Sequence, residues 1–307
     1  MRLGFASAIL PELTLNEVLQ VAQDIGYQCV EVMCWPVGKS SRRYAGVTHI
    51  DLDLYNDSLK SQIQNSIKES GVHISALGYY PNPLVNDKES SKLYINHILR
   101  LIEVASDLGL EVVNTFVGRD HEKSVDENWP RFMEIWQLII EKAERYKVKI
   151  GIENCPMIFT NDEWPGGKNL ATTPVIWDKM FDDISSDYFG LNYDPSHMIW
   201  QHMDYLNPIK NYHQKFFHVH AKDVRIDQEE LDRYGIMSPP NLWHTPKLPG
   251  MGDVNWGKFF SHLTDVGYKG DVCVEVEDRS YEKTLESRKA SLVHSYNYLK
   301  QFFPIQS

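Results

Sequence analysis

The chain has 307 residues, of which 42% are hydrophobic and 24% charged, so it can bury a full core and lacks the charge excess of a disordered segment. A formal net charge of −11 and a pI of about 5.5 make the average surface field repel nucleic-acid backbones and anionic membranes. No Lys/Arg-rich run offsets that field, so we expect neither nucleic acid nor a membrane as a partner.

The cysteines and the N-terminal segment indicate a reducing compartment. Four cysteines are scattered in or beside apolar runs without forming a CxxC pair, at Cys29, Cys34, Cys155 and Cys273. Reduced core thiols are the simplest interpretation. The opening MRLGFASAIL stops at Pro11 and Glu12, which makes it too short for a secretory signal, and no apolar stretch of about 18 residues follows. We predict a cytoplasmic protein.

Strand-like and helical segments alternate along the chain. Short apolar runs predict eight strands, at 3–7, 29–33, 73–78, 112–118, 149–154, 189–194, 216–223 and 271–277. Amphipathic patterns between them predict helices, among them 15–25, 58–69, 92–108, 129–146 and 174–184. Three of these helices have residues suited to an N-cap, which are Thr14, Asp57 and Thr173. Several helical segments end at a glycine just before the next strand, at Gly26, Gly71, Gly109 and Gly267.

This repeated unit predicts an α/β fold with a parallel sheet. Eight such units with right-handed crossovers either close into a (β/α)8 TIM barrel or open into a doubly wound sheet. The count of eight, and the lack of a GxGxxG sequence after the first strand, favour the barrel. No linker-like tract divides the sequence, so we predict one domain over residues 1–307.

Three connections are unusually long, at about 34–56, 155–173 and 224–254. All three follow strands, and in a barrel such segments lie on the C-terminal face, where active sites are built. They therefore predict a substrate pocket or lid. The third connection carries apolar residues that fit either a pocket wall or a contact with a second subunit, which leaves a homo-oligomer open: Ile236, Met237 and Leu242.

Polar residues share one face of four predicted strands. Side chains alternate along a strand, and in the fifth and sixth strands Glu153 and Asp194 lie opposite the large apolar side chains. The same parity in the seventh and eighth strands selects His220 and Glu275, or Glu277 in place of Glu275. If the apolar parity faces the helices, these side chains enter the barrel near the carboxyl ends of the strands.

Three carboxylates grouped there would repel one another and be costly to desolvate. A divalent cation removes that cost, and three oxygen donors with one imidazole suit Mn, Co, Mg or Zn. The alternative is a buried salt-bridge network in which Lys222 and Arg119 serve as counterions. The sequence pattern favours the metal.

Several motifs together resemble a known family. The segments are VEVMCWP, SALGYYPNPL, NTFVGRD, IGIENCP, GLNYDPSHMIWQ, FFHVHAKD, LPGMGDVNWGKFF and GYKGDVCVEVED. They are similar to the bacterial sugar phosphate isomerase/epimerase family of xylose isomerase-like TIM barrels, and the resemblance covers nearly the whole chain. The same barrel is shared by keto-sugar 3-epimerases, inosose dehydratases and endonuclease IV, so the fold alone does not define the reaction.

The resemblance implies a set of site residues. The implied ligands of one divalent metal, with Mn favoured, are Glu153, Asp194, His220 and Glu275. His197 would contact substrate or support the metal, and Lys222 would hold a substrate oxygen or form a structural ion pair. Arg119 and Trp35 complete the predicted substrate-binding residues. Further aromatic residues offer flat faces for sugar C–H groups or ordinary loop packing, namely Tyr79, Tyr80, Trp200, Trp243 and Trp256.

We therefore expect an isomerase or epimerase that acts on a sugar or keto-sugar. Glu153 and Glu275 would be catalytic, one removing a proton next to a carbonyl and the other returning it after an enediolate forms. A lyase that eliminates a group β to the carbonyl, from an inosose or a 3-keto-glycoside, needs the same residues and stays open. A sugar-binding barrel without catalysis is a further alternative. An endonuclease IV-like enzyme would need more histidine ligands than the third and fourth strands supply.

The sequence weakly favours a substrate without phosphate. Arg119 and the glycines Gly250 and Gly252 can serve a phosphate group. However, no glycine-rich helix start with a partner lysine accompanies them.

Overall fold

The predicted barrel is present in the computed structural model, which describes residues 1–38, 45–158 and 166–303. Its strands are β1 (Arg2–Ala6), β2 (Cys29–Met33), β3 (His73–Gly78), β4 (Val112–Thr115), β5 (Lys149–Glu153), β6 (Phe189–Tyr193), β7 (Phe216–Ala221) and, after β8 (Asp223–Ile226) and β9 (His244–Lys247), β10 (Asp271–Val274). The eight barrel strands are parallel and follow the order β1-β10-β7-β6-β5-β4-β3-β2, closing where β1 pairs with both β2 and β10. The (β/α)8 fold class is confirmed.

Helices follow the strands around the barrel. In the described part of the chain they are α1 (Leu15–Ile25), α2 (Asp57–Ser70), α3 (Lys88–Leu108), α4 (Val125–Tyr146), α5 (Pro174–Asp183), α6 (Ser196–Ile199), α7 (Asn207–Tyr212), α8 (Gln228–Tyr234), α9 (Trp256–Asp265) and α10 (Leu285–Leu299). The observed helix α1 has the predicted bounds. The other four predicted helices begin at most four residues before the predicted start and end within one residue of the predicted end.

The three predicted N-caps have different outcomes. Thr14 caps α1 in a capping box, because its side chain accepts from the Glu17 amide while the Glu17 carboxylate accepts from the Thr14 amide. Asp57 as the cap of α2 is wrong by one residue: Asn56 has the extended backbone of a cap, and its side chain accepts two amide hydrogen bonds. Thr173 holds the cap position of α5 but makes no capping hydrogen bond with its side chain.

The outward side chains of the strands form an apolar layer against the helices. Tyr193 of β6 shows this orientation, since its ring contacts Trp177 of α5 and Phe259 of α9 with centroid distances of 6.2 and 6.3 Å. Apolar residues of the same parity in β5, β6, β7 and β10 are fully buried in the same core, among them Ile150, Ile152, Leu191, Val219, Val272 and Val274. Burial of this layer is the main force that closes the barrel.

The inward side chains are polar. His218 of β7 lies fully buried, with Nδ1 2.9 Å from Asn192 Oδ1 and Nε2 3.1 Å from Ser75 Oγ. These hydrogen bonds offset the free-energy cost of removing the imidazole from water. On the same face of β5, Gly151 leaves space for Asn114, because a Cβ at residue 151 would collide with Asn114 Oδ1. The barrel interior is therefore a polar network and the shell outside it is apolar.

The connection predicted at 224–254 has structure of its own. The strands β8 and β9 pair in antiparallel fashion, with α8 between them, and the predicted strand 216–223 ends at Ala221. Asp223 anchors this excursion, since its carboxylate accepts from Trp256 Nε1 and Gly250 N at 2.9 Å and from Val254 N at 3.0 Å. These hydrogen bonds hold the end of the 224–254 connection close to the end of β7.

Parts of the other two long connections, 39–44 and 159–165, lie outside the described residues. All four cysteines are free, with Cys155 partly exposed and the other three buried. Among the described helices, none is both long and apolar enough to cross a membrane.

Candidate active site

Four strand ends bring their polar residues to one point. Glu153 closes β5, Asp194 follows β6, His220 is the penultimate residue of β7 and Glu275 follows β10. One ligand atom from each of the four lies within 4.8 Å of the others. Glu277 does not belong to this cluster, although it shares the parity of Glu275. The structure thus groups the four residues that alternation selected.

One buried atom of the cluster, His220 Nδ1, has no hydrogen-bond partner. His220 Nδ1 lies 3.4 Å from Glu275 Oε2 and 3.8 Å from Glu153 Oε1, so the nitrogen faces the carboxylates. A lone pair and carboxylate oxygens that converge on one point form a donor set that suits a divalent cation. These residues therefore fit a metal ion.

Lys222 places its ammonium group among the carboxylates. Nζ is 2.6 Å from Glu275 Oε2 and 2.9 Å from Asp194 Oδ2. It is also 3.4 Å from Glu277 Oε2 and 3.7 Å from Glu153 Oε1. One lysine is thus shared by four carboxylates, which leaves the site electrostatically suited to a further cation.

The charges of the site support one another. Burial works against a charged lysine, but the carboxylates outweigh it and hold the pKa of Lys222 well above its usual value. Burial likewise raises the pKa of a carboxyl group, but the charge of Lys222 outweighs that effect and lowers the pKa of Glu275 to about 2. The pKa of Glu153 is lowered in the same way. These groups are charged at neutral pH.

His197 lies against the same cluster. Its Nε2 is 3.3 Å from Glu153 Oε1, 3.4 Å from Asp194 Oδ2 and 3.0 Å from Lys222 Nζ. Trp200 Nε1 lies 3.1 Å from His197 Nδ1, and an indole N–H can only donate. Because Nδ1 accepts the Trp200 N–H, a ring hydrogen is placed on Nε2. In this tautomer Nε2–H is directed at the carboxylates of Glu153 and Asp194.

Glu31 was missed in the sequence. It lies on β2 with no exposed surface, and its Oε2 is 2.6 Å from His220 Nε2 while Tyr80 donates its hydroxyl hydrogen to Oε1. Burial raises the pKa of Glu31, but its interactions with His220 outweigh that effect and lower the pKa. The parity signal was available, since Val30 and Val32 alternate with Glu31 and face the apolar core.

Arg119 is not brought to the cluster. Its Nη1 donates to the Gly166 carbonyl at 2.7 Å, and its Nη2 donates to the Lys123 carbonyl at 3.0 Å. The guanidinium group therefore ties together the segments that follow β4 and β5. It does not serve as a counterion of the carboxylates.

The aromatic residues divide into two groups. Trp35 is partly exposed, and its ring meets Tyr79 edge-on with a centroid distance of 4.8 Å, beside the apolar cluster that contains Tyr80. Trp200 stacks on His244 of β9 with a centroid distance of 5.0 Å. The remaining aromatic candidates are buried and pack within the protein, namely Tyr79, Trp243 and Trp256.

Comparison with known sequences identifies the family. Residues 19–302 match the family described as xylose isomerase-like TIM barrel, and this match spans most of the chain. The protein belongs to the xylose isomerase-like TIM barrel family. The family and fold predicted from the sequence motifs are confirmed by this match.

Curated relatives of this xylose isomerase-like protein include uncharacterized and enzymatic members. Uncharacterized protein YfiH of Bacillus subtilis (strain 168) is 24% identical over 335 aligned residues, which cover 98% of this chain and 99% of that protein. Inosose dehydratase of Clostridium perfringens (strain 13 / Type A) is 29% identical over 114 residues, which cover 36% of this chain and 38% of that enzyme. The second likeness spans less than half of either protein.

Solved structures share the barrel at low identity. D-psicose 3-epimerase from Clostridium cellulolyticum H10, solved with D-tagatose, has a TM-score of 0.70 and 15% identity and covers 98% of this chain and 99% of that one. The IOLI protein with a bound zinc atom has a TM-score of 0.70 and 19% identity and covers 99% of this chain and all, 100%, of that one. At these identities the likeness shows the fold alone, and the relatives include both epimerases and dehydratases.

Proposed function

We propose that this protein is a divalent-metal-dependent isomerase or epimerase that acts on a sugar or keto-sugar. The observation that carries the proposal is the convergence of four ligand atoms within 4.8 Å, from Glu153, Asp194, His220 and Glu275. The unpartnered His220 Nδ1, which faces two of these carboxylates, supports it. Manganese is favoured, and cobalt, magnesium and zinc fit the same donor set.

A divalent cation held by these residues would stabilise negative charge on neighbouring hydroxyl and carbonyl oxygens of the substrate. The protein side chains do the remaining work. Glu153 closes β5 and Glu275 follows β10, so a substrate between them would have a carboxylate on either side. One carboxylate removes the proton from the carbon next to the carbonyl, and the other returns a proton to the opposite face or to the neighbouring carbon.

Lys222 and His197 would orient the substrate. Both present N–H donors beside the carboxylates, and both are buried. An N–H donor held in a site shielded from water stabilises developing negative charge on a substrate oxygen. The side chains of Glu275 and Glu277 are 21% and 23% exposed, so the cluster opens to solvent on that side. The substrate would enter there.

A neutral substrate suits the charges of the site. Four carboxylates surround one lysine, and Arg119 has its guanidinium group engaged with backbone carbonyls. A phosphate group close to the carboxylates would be repelled. We therefore propose a sugar or polyol without phosphate.

Metal content tests the proposal. Protein purified without chelators should carry about one equivalent of divalent metal by elemental analysis, and Asp194→Ala should carry clearly less. Asp178→Ala, which removes a surface carboxylate that accepts from Tyr212, is the matched control and should retain the metal. If the wild-type protein holds no metal and gains no thermal stability from Mn²⁺, Co²⁺, Zn²⁺ or Mg²⁺, the proposal fails and the cluster is a salt-bridge network.

The second candidate is a lyase, which the inosose dehydratase relatives favour. The same base would remove the proton, after which a group β to the carbonyl leaves. Incubation of keto-sugars, inososes and 3-keto-glycosides in deuterated water separates the two reactions by mass spectrometry. An isomerase or epimerase yields a product of unchanged composition that has gained deuterium on carbon, whereas a dehydratase yields a product that has lost one water. No turnover in a metal-loaded protein would favour a sugar-binding barrel.

A further inference from the structure

The buried carboxylate of Glu31 forms a hydrogen bond with His220. Glu31 Oε2 lies 2.6 Å from His220 Nε2, and neither side chain is more than 1% exposed. The other oxygen, Oε1, accepts from the Tyr80 hydroxyl and from Asn114 Nδ2 at 3.1 Å. A glutamate side chain is ionised at neutral pH, so Oε2 can only accept, as Oε1 does from its two donors.

This contact decides which nitrogen of His220 carries a hydrogen. A nitrogen and a carboxylate oxygen at 2.6 Å need a hydrogen between them, so Nε2 is protonated. Asn192 Nδ2 also approaches Nε2, but at the longer distance of 3.0 Å. The nitrogen that can lose its proton is therefore Nδ1, which faces Glu275 and Glu153. The opposite tautomer would direct a lone pair at the Glu31 carboxylate.

We propose that Glu31 is a positioning residue for the metal centre: it fixes His220 as the Nε2–H tautomer, so that Nδ1 offers its lone pair to the ion. This inference rests on the proposed metal-dependent function. The carboxylate also increases the basicity of the imidazole and partly offsets the charge of the cation. Glu31 contacts no substrate, and it acts only through His220.

Glu31, His218 and His220 also lie close enough to form a second three-residue metal site. Their atoms are already used, however: Glu31 accepts from three groups, and both nitrogens of His218 have partners in Asn192 and Ser75. We therefore assign this group to hydrogen bonding, and the proposal predicts one ion per chain.

Calorimetric titration of metal-free protein with Mn²⁺ and Zn²⁺ tests the role of Glu31. Glu31→Gln keeps the size of the side chain but removes the charge, and its affinity for either ion should fall by about 10- to 100-fold. Glu277→Gln is the matched control, since it removes a carboxylate that contacts Lys222 and lies outside the four-residue cluster, and its affinity should change much less. Equal affinity in wild type and Glu31→Gln, or binding of two ions per chain, would overturn the inference.

Nitrogen NMR of histidine-labelled, metal-free protein gives a readout that needs neither metal nor activity. The His220 signals, assigned by their loss in His220→Asn, should show a hydrogen on Nε2, and Glu31→Gln should weaken that preference. A hydrogen on Nδ1 alone in the wild type would overturn the inference even if metal binds. If the wild type binds no metal, the proposed function fails, while the NMR result still decides whether Glu31 sets the tautomer.

Folding of the variant is controlled by circular dichroism. If Glu31→Gln does not fold, Tyr80→Phe replaces it, because it keeps the carboxylate and removes one hydroxyl that donates to it. That variant should bind Mn²⁺ a few-fold more weakly. Affinity equal to the wild type would then count against the inference.

Discussion

The two faces of the barrel strands differ in what satisfies them. At the end of β5, Ile152 points into the apolar shell and is fully buried. Its neighbour Glu153 points into the barrel and belongs to the inward cluster, which is formed by Glu153, Asp194, His220 and Glu275. The apolar shell is stabilised by close packing and by the burial of apolar surface alone. The inward cluster retains an unpartnered His220 Nδ1 and an excess of carboxylates over lysine. Of two adjacent residues of one strand, one therefore contributes to the stability of the fold and the other to the candidate active site.

The largest expected effect is on the inward face. Glu153→Gln should lower kcat by about 10²- to 10⁴-fold, because an amide cannot accept the proton from carbon. The measurement is a steady-state assay with the substrate found by screening, alongside circular dichroism to show an intact fold. Ile152→Val is the neighbouring control and should cost only about 0.5 to 1.5 kcal/mol of unfolding free energy with kcat preserved. Full activity in Glu153→Gln would move the base to another residue.

The next effect is on the outward face. Ile152→Ala should lower the free energy of unfolding by about 2 to 5 kcal/mol, because it leaves a cavity in a fully packed core. Urea denaturation followed by circular dichroism measures this loss. The metal content of the folded variant should equal that of the wild type. Loss of metal together with stability would show that the two faces are not separable.

Lys222→Met distinguishes a metal centre from a salt-bridge network. Without metal, the variant should melt at a lower temperature than the wild type, because buried carboxylates lose the ammonium that neutralises them. With Mn²⁺ it should recover, and its affinity for Mn²⁺ should rise by about tenfold since repulsion between two cations is removed. Thermal melting and calorimetric titration measure both quantities. A variant that no metal restores would favour the network.

The smallest effect is at the edge of the site. Burial lowers the pKa of His244 from 6.5 to about 4, although its Nδ1 donates to the Pro240 carbonyl at 2.6 Å. The unfolded chain therefore takes up a proton near pH 6.5 and the folded protein only near pH 4. Stability is complete above pH 6.5 and falls as the pH decreases through this interval.

His244→Gln should reduce that acid-induced loss by about 2 kcal/mol, measured as unfolding free energies at pH 7 and pH 4.5. His121→Gln, which removes an exposed histidine, is the matched control for the substitution itself. An unaltered pH dependence in His244→Gln would contradict a buried neutral imidazole. Water would then reach the His244 side chain on β9 more readily than it reaches the inward cluster.

Much of the fold followed from local patterns. The period-two alternation in β5, β6, β7 and β10 predicted which residues face inward, and the structure groups Glu153, Asp194, His220 and Glu275. The capping box of Thr14 and the glycine that ends α1 were equally local signals. The roles of the four residues as ligands and bases remain predictions that the metal analysis will test.

Other features depended on distant contacts. Arg119 was predicted to bind substrate or balance charge, but its guanidinium group reaches carbonyls of two loops. The strands β8 and β9 were not predicted within the long connection at about 224–254, because their four-residue runs are short and only mutual pairing makes them strands. Sequence spacing contains no information about which loop a long side chain will meet.

By itself, the sequence determined the eight-strand barrel, the side of its fifth to eighth strands that faces inward, and the candidate residues at the ends of those four strands. It could do so because alternation and helix signals act over a few residues. Only the tertiary structure decided that Glu31 supports His220 from 189 residues away and that Lys222 lies among the carboxylates. Those contacts exist only once the barrel closes, because closure brings strands that are distant in the chain to within hydrogen-bonding distance.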